Sequence, residues 1–316
     1  MKSLSVQRKG ASNSVHTLLS IIWKNRMVYL LILPALIWYF VFAYMPMGGL
    51  SLAFKTYKAK MGIWGSPWVG LKNFENMFID PSFLQSVWKT LYINFGRLLI
   101  EFPFAVILAL ILDEARIGRL KKPLQIIYTF PHFLSWIIIA SILNNVLAYD
   151  GMVNLLIEML GGTRIRFLSS ESLFQPMLYI TSIWKSAGWN TIIYLAAISG
   201  VDQDQYESAE IDGATRLQRV FHITLPNILP TIAIMFIMTA GKLLAQDFDQ
   251  IFNMSNAAVS NVSETLGMYI YRITFASPPD FGFSVAVSLF RSIINLILLL
   301  LANQGSKWLS GTGLFA

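Results

Sequence analysis

Long apolar stretches alternate with short polar ones along the whole chain. A membrane-crossing helix needs about 20 mostly apolar residues, because the hydrocarbon core is about 30 Å thick and each helical residue rises about 1.5 Å. Six stretches meet that requirement: Met27–Phe54, Phe83–Leu112, Leu124–Tyr149, Phe174–Gly200, Ile228–Ala245 and Phe281–Ala302. The first and third carry no charge. Lys89, Arg97 and Glu101 interrupt the second, Lys185 the fourth, Lys242 the end of the fifth, and Arg291 the middle of the sixth. The runs are too continuous for the ten-residue alternation of a membrane β-barrel. The pattern predicts an all-α integral membrane protein of six transmembrane helices. It divides into an N-terminal segment 1–26, a helical domain 27–303 containing a polar loop at 202–226, and a tail 304–316. Pro34, Pro103, Pro131 and Pro176 read as kinks that neighbouring helices accommodate. The first apolar run is longer than the core of a cleaved signal, so it reads as a retained span.

Composition agrees. Only 13% of the 316 residues are charged, against roughly 25% in soluble proteins, so a water-facing surface is not available to most of the chain. Mean hydropathy is +0.57. The net charge of +7 would suggest nucleic acid in a soluble protein, but in a membrane protein basic residues gather in cytoplasmic loops. Lys2, Arg8, Lys9, Lys24, Arg26, Arg116, Arg119, Lys121, Lys122, Arg216, Arg219 and Lys307 fall on one side of the six-span layout. Lys55, Lys58, Lys60, Lys72, Arg164, Arg166 and Arg272 fall on the other. This bias places both termini and the 202–226 loop in the cytoplasm. Cysteine is absent, which excludes disulfides, thiol nucleophiles and Cys-ligated metals. His16, His132 and His222 are too scattered for a local metal site.

The loop between spans four and five departs from the apolar pattern. Asp202, Asp204, Glu207, Glu210 and Asp212 precede Gly213, and Arg216, Arg219 and His222 follow it. Asp204 is suited to cap a short helix, with Glu207 three residues on. Gly213 is suited to a positive φ and a sharp turn. A second short helix then reaches about Ile223, and Pro226 and Pro230 stand at the start of span five, where a first turn tolerates them.

Glu207, Ser208, Ala209, Gly213, Ile223, Leu225 and Pro226 have the spacing of the E-A-A, three residues, G, nine residues, I-x-L-P pattern, with Ser208 in place of the middle Ala. The loop resembles the coupling loop of bacterial ABC importer permeases. Val69-Gly70-Leu71-Lys72-Asn73-Phe74, Asp80-Pro81-Ser82-Phe83, Leu195-Ala196-Ala197-Ile198, Ser263-Glu264-Thr265-Leu266 and Tyr269-Ile270-Tyr271 are similar to segments of carbohydrate-type permeases. Tyr44-Met45-Pro46 and Trp64-Gly65-Ser66-Pro67-Trp68 are most similar to the subgroup handling complex oligosaccharides. Two segments depart from the pattern: Val201-Asp202 stands where Ile-Pro is common, and Ser255-Asn256-Ala257-Ala258-Val259 stands where a Thr and paired Gly are common.

The resemblance implies a type I permease fold and an ATP-driven import of an oligosaccharide delivered by an extracellular or periplasmic solute-binding protein. It implies a second homologous permease subunit, two ATPase subunits, a bacterial plasma membrane with its lipid, and no nucleic acid. The sequence has no Gly-x-x-x-x-Gly-Lys-[Ser/Thr] loop, so no cofactor is expected on this chain; ATP and Mg belong to the partner ATPase. The ATPase-coupling residues are then Glu207, Ser208, Ala209, Asp212, Gly213, Ala214, Ile223, Leu225 and Pro226, with a short helix from Ser208 to Thr215 filling the ATPase groove. Charges inside a span are costly, about 2.5–3.5 kcal/mol each on insertion scales. Asn94, Arg97 and Glu101 on one face of span two, Lys185, Trp189 and Asn190 in span four, and Arg291 in span six are the candidate substrate path. The alternative for each is a structural pair or a subunit contact. Competing functions are an ATP-independent secondary transporter or channel, an importer permease for another small polar solute, and a membrane enzyme. The first wants internal repeats or an acid relay, and the last a His, Asp or Ser cluster at one face.

Overall fold

The computed structural model describes residues 23–115, 121–245, 248–275, 278–311 and 313–314. Lys2, Arg8, Lys9, His16, Arg116 and Arg119, and hence most of the segment 1–26, lie outside the described residues, as does the side chain of Lys121. The helices are α1 (Arg26–Tyr39), α2 (Lys72–Ile79), α3 (Pro81–Glu114), α4 (Lys121–Thr129), α5 (Trp136–Val146), α6 (Met152–Met159), α7 (Glu171–Ser199), α8 (Gln203–Ile211), α9 (Leu225–Ala240), α10 (Phe248–Met254), α11 (Leu266–Phe275) and α12 (Phe281–Ser310).

Among the described residues, four helical bodies are long and apolar enough to cross a membrane: Arg26–Phe54, Pro81–Glu114, Arg216–Ala240 and Phe281–Trp308. The third expected span is not one helix. It breaks into α4 and α5 with a 97° bend, because Phe130–Phe133 tightens into a 3₁₀ turn around buried Pro131 and Ser135 starts a new helix, its hydroxyl accepting from Ile138 N–H. The pair counts as a fifth crossing if taken together. The fourth expected span, α7, is 29 residues long, about 43 Å at the helical rise; Thr181, Ser182, Lys185, Ser186, Asn190 and Thr191 dilute its apolar character. Span five begins earlier and ends earlier than its apolar run. A turn at Arg216–Arg219 passes through a π-turn, Val220–Thr224, into α9, which stops at Ala240.

The two ends of the bundle have separate cores. Ile93, Ala140, Phe174, Leu178, Ile251 and Val259 pack at the end where α7 begins. Ala105, Val106, Ala109, Tyr194, Ile198 and Ile228 pack where α7 leads into α8. At the former end, several family-like segments act as joints. Asn73 Nδ2, buried, donates to Ala53 O at 2.9 Å and Lys55 O at 3.1 Å. Leu266 N–H donates to Thr90 Oγ1 at 2.7 Å, and the Tyr269 hydroxyl to Asp80 Oδ2 at 2.5 Å. Burial pushes the Asp80 carboxyl up, but hydrogen bonds from Tyr269 and Ser82 outweigh it and leave the pKa below the usual value. The first span has no buried residue from Arg26 to Tyr39; its apolar surface is left for lipid or another subunit to cover.

Candidate coupling loop and membrane cavity

The polar loop folds into a capped helical hairpin. Asp202, two residues before the expected cap, is the one that starts α8, its carboxylate accepting from Asp204 N–H at 3.2 Å. The helix ends at Ile211, so Asp212–Thr215 is a turn rather than the rest of a helix. Ala214 N–H donates to Ala209 O at 2.9 Å and Gly213 N–H to Glu210 O at 3.1 Å. With Gly213 at φ +77°, this is the paired closure of a Schellman cap, which leaves the chain in the left-handed region for one residue. The Ala-three-Gly spacing is therefore the spacing of a helix C-terminus. Thr215 and Gln218 cap the next turn reciprocally, a capping box the sequence pattern did not single out.

Side chains tie the two arms of the hairpin together. Tyr206 Oη lies 2.9 Å from Thr224 Oγ1, Asn227 Nδ2 donates to Gln205 Oε1 at 3.0 Å, and Arg219 pairs with Glu210 at 3.4 Å. Ile223 and Leu225 pack onto the core around Tyr194 and Ile228, which explains the apolar positions that end the motif. Glu207 and Ser208 are exposed and Ala209 and Ala214 half-buried. At the tip, Ile211 is 87% and Leu217 70% exposed. Neither stood out in the sequence, since each is a lone apolar residue among polar ones.

Within the bundle, a polar cavity of about 330 Å³ opens between α3, α5, α7, α9 and α10. Arg97, Glu101 and Phe102 of α3 face Ser182, Ser186 and Asn190 of α7, with Trp136, Thr239 and Gln250 closing the sides. Arg97 is 8% exposed; its guanidinium donates to Gln250 Oε1 and lies 3.6 Å from Glu101. Ser182 Oγ donates to the other Glu101 oxygen at 2.8 Å. Gln250 is fixed in turn, donating to Leu178 O and Thr181 Oγ1, each at 2.9 Å. Ser182, Ser186 and Asn190 recur every four residues, a stripe on one helix face; that signal was readable in the sequence.

Of the expected path residues, Arg97, Glu101 and Asn190 come together here. Asn94 lies one turn before Arg97 and donates to Leu243 O at 2.6 Å, in the segment after α9. Lys185 and Trp189 point elsewhere: Lys185 Nζ meets His132 O and Leu134 O, and Trp189 stacks flat on His132 with ring centroids 4.5 Å apart. Arg291 of α12 is half-buried and has no hydrogen-bond or ion-pair partner among the described residues. No three His, Asp or Glu side chains converge as a metal site among the described residues.

The family described as "Binding-protein-dependent transport system inner membrane component" matches residues 101–304, the stretch that holds the cavity lining except Arg97, the hairpin and the last spans. The chain belongs to this family. It is a multi-pass permease subunit of an ABC importer, not an enzyme. The permease is 40% identical over 293 residues to the polygalacturonan/rhamnogalacturonan transport system permease protein YteP of Bacillus subtilis (strain 168), covering 92% of this chain and 91% of that one. It is equally similar to the protein LplB of the same organism, at 40% over 293 residues and 92% of each chain. In fold it matches a chain of a bacterial ABC transporter involved in the import of the acidic polysaccharide alginate, with TM-score 0.85 and 33% identity over 92% of this chain and 98% of that one. A chain of the alginate transporter in complex with its alginate pentasaccharide-bound periplasmic protein matches as well, with TM-score 0.85 and 32% identity over 93% and 99%.

Proposed function

We propose that this permease translocates an oligosaccharide handed over by a solute-binding protein, and that α8 and its Gly213 cap seat in a groove of a separate ATPase subunit. The observation that carries the reading is the stiff hairpin with an apolar tip. Ile211 ends α8 and Leu217 lies in the turn that opens span five, and exposed apolar side chains on a capped polar hairpin suit a protein groove. Glu207, Ser208, Ala209, Asp212, Gly213 and Ala214 form the body that enters it, while Ile223, Leu225 and Pro226 anchor it to α9.

Force then has a short path. Tyr194 lies one helical turn from Asn190, and Ala105 one turn from Glu101, so the core that grips the hairpin adjoins the polar cavity. A displacement of α8 moves α3 and α7 together and changes access to the cavity, a two-state rocking of packed helices. ATP and Mg remain with the ATPase subunits; this chain contributes the joint and the path. The partner set is a second homologous permease, two ATPases and the binding protein, with both termini and the 202–226 loop in the cytoplasm of a bacterial cell.

A cavity lined by hydroxyls, two amides, an indole, and a guanidinium beside the Glu101 carboxylate suits a ligand with hydroxyl edges and apolar ring faces. The names of the relatives, polygalacturonan and alginate among them, support a carboxylated oligosaccharide. Uptake of oligogalacturonate into vesicles containing the assembled importer is expected to need both nucleotide and binding protein; uptake persisting without nucleotide would favour the channel or secondary-transporter reading. Arg291, in the first half of α12, is the second candidate for meeting a carboxylate. Arg291→Ala is expected to slow uptake of a uronate oligosaccharide about tenfold, roughly the 1.4 kcal/mol of one charge-assisted contact, and to leave a neutral one unchanged. Equal loss for both would assign Arg291 to subunit contact.

A further inference from the structure

The cation in α7 has a use that its position in a span does not announce. In a continuous helix His132 O would accept from Trp136 N–H and Leu134 O from Ile138 N–H. The break in span three removes both bonds, and the Ser135 hydroxyl takes Ile138 N–H. Two carbonyls are left facing a low-dielectric interior, where an unpaired backbone group is expensive. Lys185 Nζ donates to both, at 2.7 Å to His132 O and 2.5 Å to Leu134 O. The same ammonium stands 5.6 Å from the centre of the Trp136 ring, a cation–π distance. Next to it, α7 presses closely on α4: a Cβ at Gly188 would lie 2.1 Å from Tyr128 O. Trp136 is the first residue of α5 and forms one wall of the polar cavity.

We propose that Lys185 is a positioning residue rather than a saccharide ligand: it clamps the broken span and holds the Trp136 ring on the cavity wall, where that ring stacks against a sugar face. The stacking role rests on the reading of the cavity as the saccharide path; the clamp does not. An ammonium suits the clamp because it offers several donors from one point, whereas a neutral side chain of that length would leave a carbonyl bare.

The test uses the assembled importer in nanodiscs. This chain has no cysteine, so Ser186→Cys places one reporter in the cavity. Its labelling by a water-soluble maleimide is followed with and without trigalacturonate or maltotriose, in Trp136→Ala, Lys185→Met and Lys185→Arg backgrounds. Hydrogen exchange of the 130–138 segment is followed in parallel. The expected result is that a saccharide slows labelling when the wild-type clamp is present. Protection is lost in Trp136→Ala and Lys185→Met and kept in Lys185→Arg. Exchange at 130–138 rises roughly tenfold in Lys185→Met only, as one lost clamp of about 1.4 kcal/mol would give. If Lys185→Met loses protection with unaltered exchange, Lys185 is a ligand and the clamp is wrong. If exchange responds but neither saccharide protects Ser186→Cys in any background, the clamp stands, and both the stacking role and the saccharide path fall.

Discussion

Gly213→Val is expected to cut saccharide import and substrate-stimulated ATP hydrolysis by tenfold or more in the reconstituted importer, while the permease still inserts and assembles. Gly213 sits at φ +77°, and a Cβ built there meets nothing within 4 Å, so the penalty is in the backbone and not in a clash. For an L-residue the left-handed region costs about 1–2 kcal/mol, and more for a β-branched one. At about 1.4 kcal/mol per factor of ten, that is enough to shift most hairpins away from the Schellman closure between Ala209 and Ala214. Because the turn lies outside the two cores, the loss falls on coupling rather than on folding. Gly213→Asn separates the causes: Asn tolerates the left-handed region, so it should retain most of the activity. Unchanged coupling in Gly213→Val would remove the hairpin from the force path.

Arg97→Met is expected to have the largest effect on stability. Arg97 is buried between Gln250 and Glu101 inside the bundle. Removing one partner of a buried ion pair costs about 3–5 kcal/mol, because the other charge stays behind in a poor solvent. Ser182 offers Glu101 one hydrogen bond, too little to replace a cation. Folded yield and melting temperature in detergent should both drop. Arg97→Lys should recover little, since an ammonium cannot reproduce the planar fork that reaches two acceptors. The double substitution Arg97→Met with Glu101→Leu should recover stability while still losing import, which separates holding the bundle together from lining the path. A single Arg97→Met as stable as wild type would show that the pair is solvated and the cavity wide open.

The parts legible in the sequence are those with a local cause. Apolar runs mark α3 and α12 because a lipid-facing helix needs little else, and the Ala209-to-Gly213 spacing marks a helix end because the Schellman closure is made within six residues. Arg97 and Glu101 come out as a pair because four residues make one helical turn. Span three is different: its apolar run through Leu124–Tyr149 is unbroken, and the 97° break is satisfied by the Ser135 cap together with the long-range reach of Lys185. The same reach explains why Lys185, which reads as a path residue by hydropathy, turns its ammonium to a neighbouring backbone. Gln250 went unmarked because α10 lies beyond the apolar run of span five. Ile211 and Leu217 carry the tip of the hairpin without any pattern around them, since a docking surface is complementary to a partner and not to its own sequence.

Coupling depends above all on the α8 hairpin being seated in a nucleotide-hydrolysing neighbour. A photocrosslinker at Ile211, with Ala209 and Ala214 as flanking positions, tests it in membranes containing the whole importer. A covalent adduct with the ATPase subunit is expected from Ile211, diminished by Gly213→Val. Capture of lipid or of the second permease alone, with no ATPase adduct from any of the three positions, would contradict it.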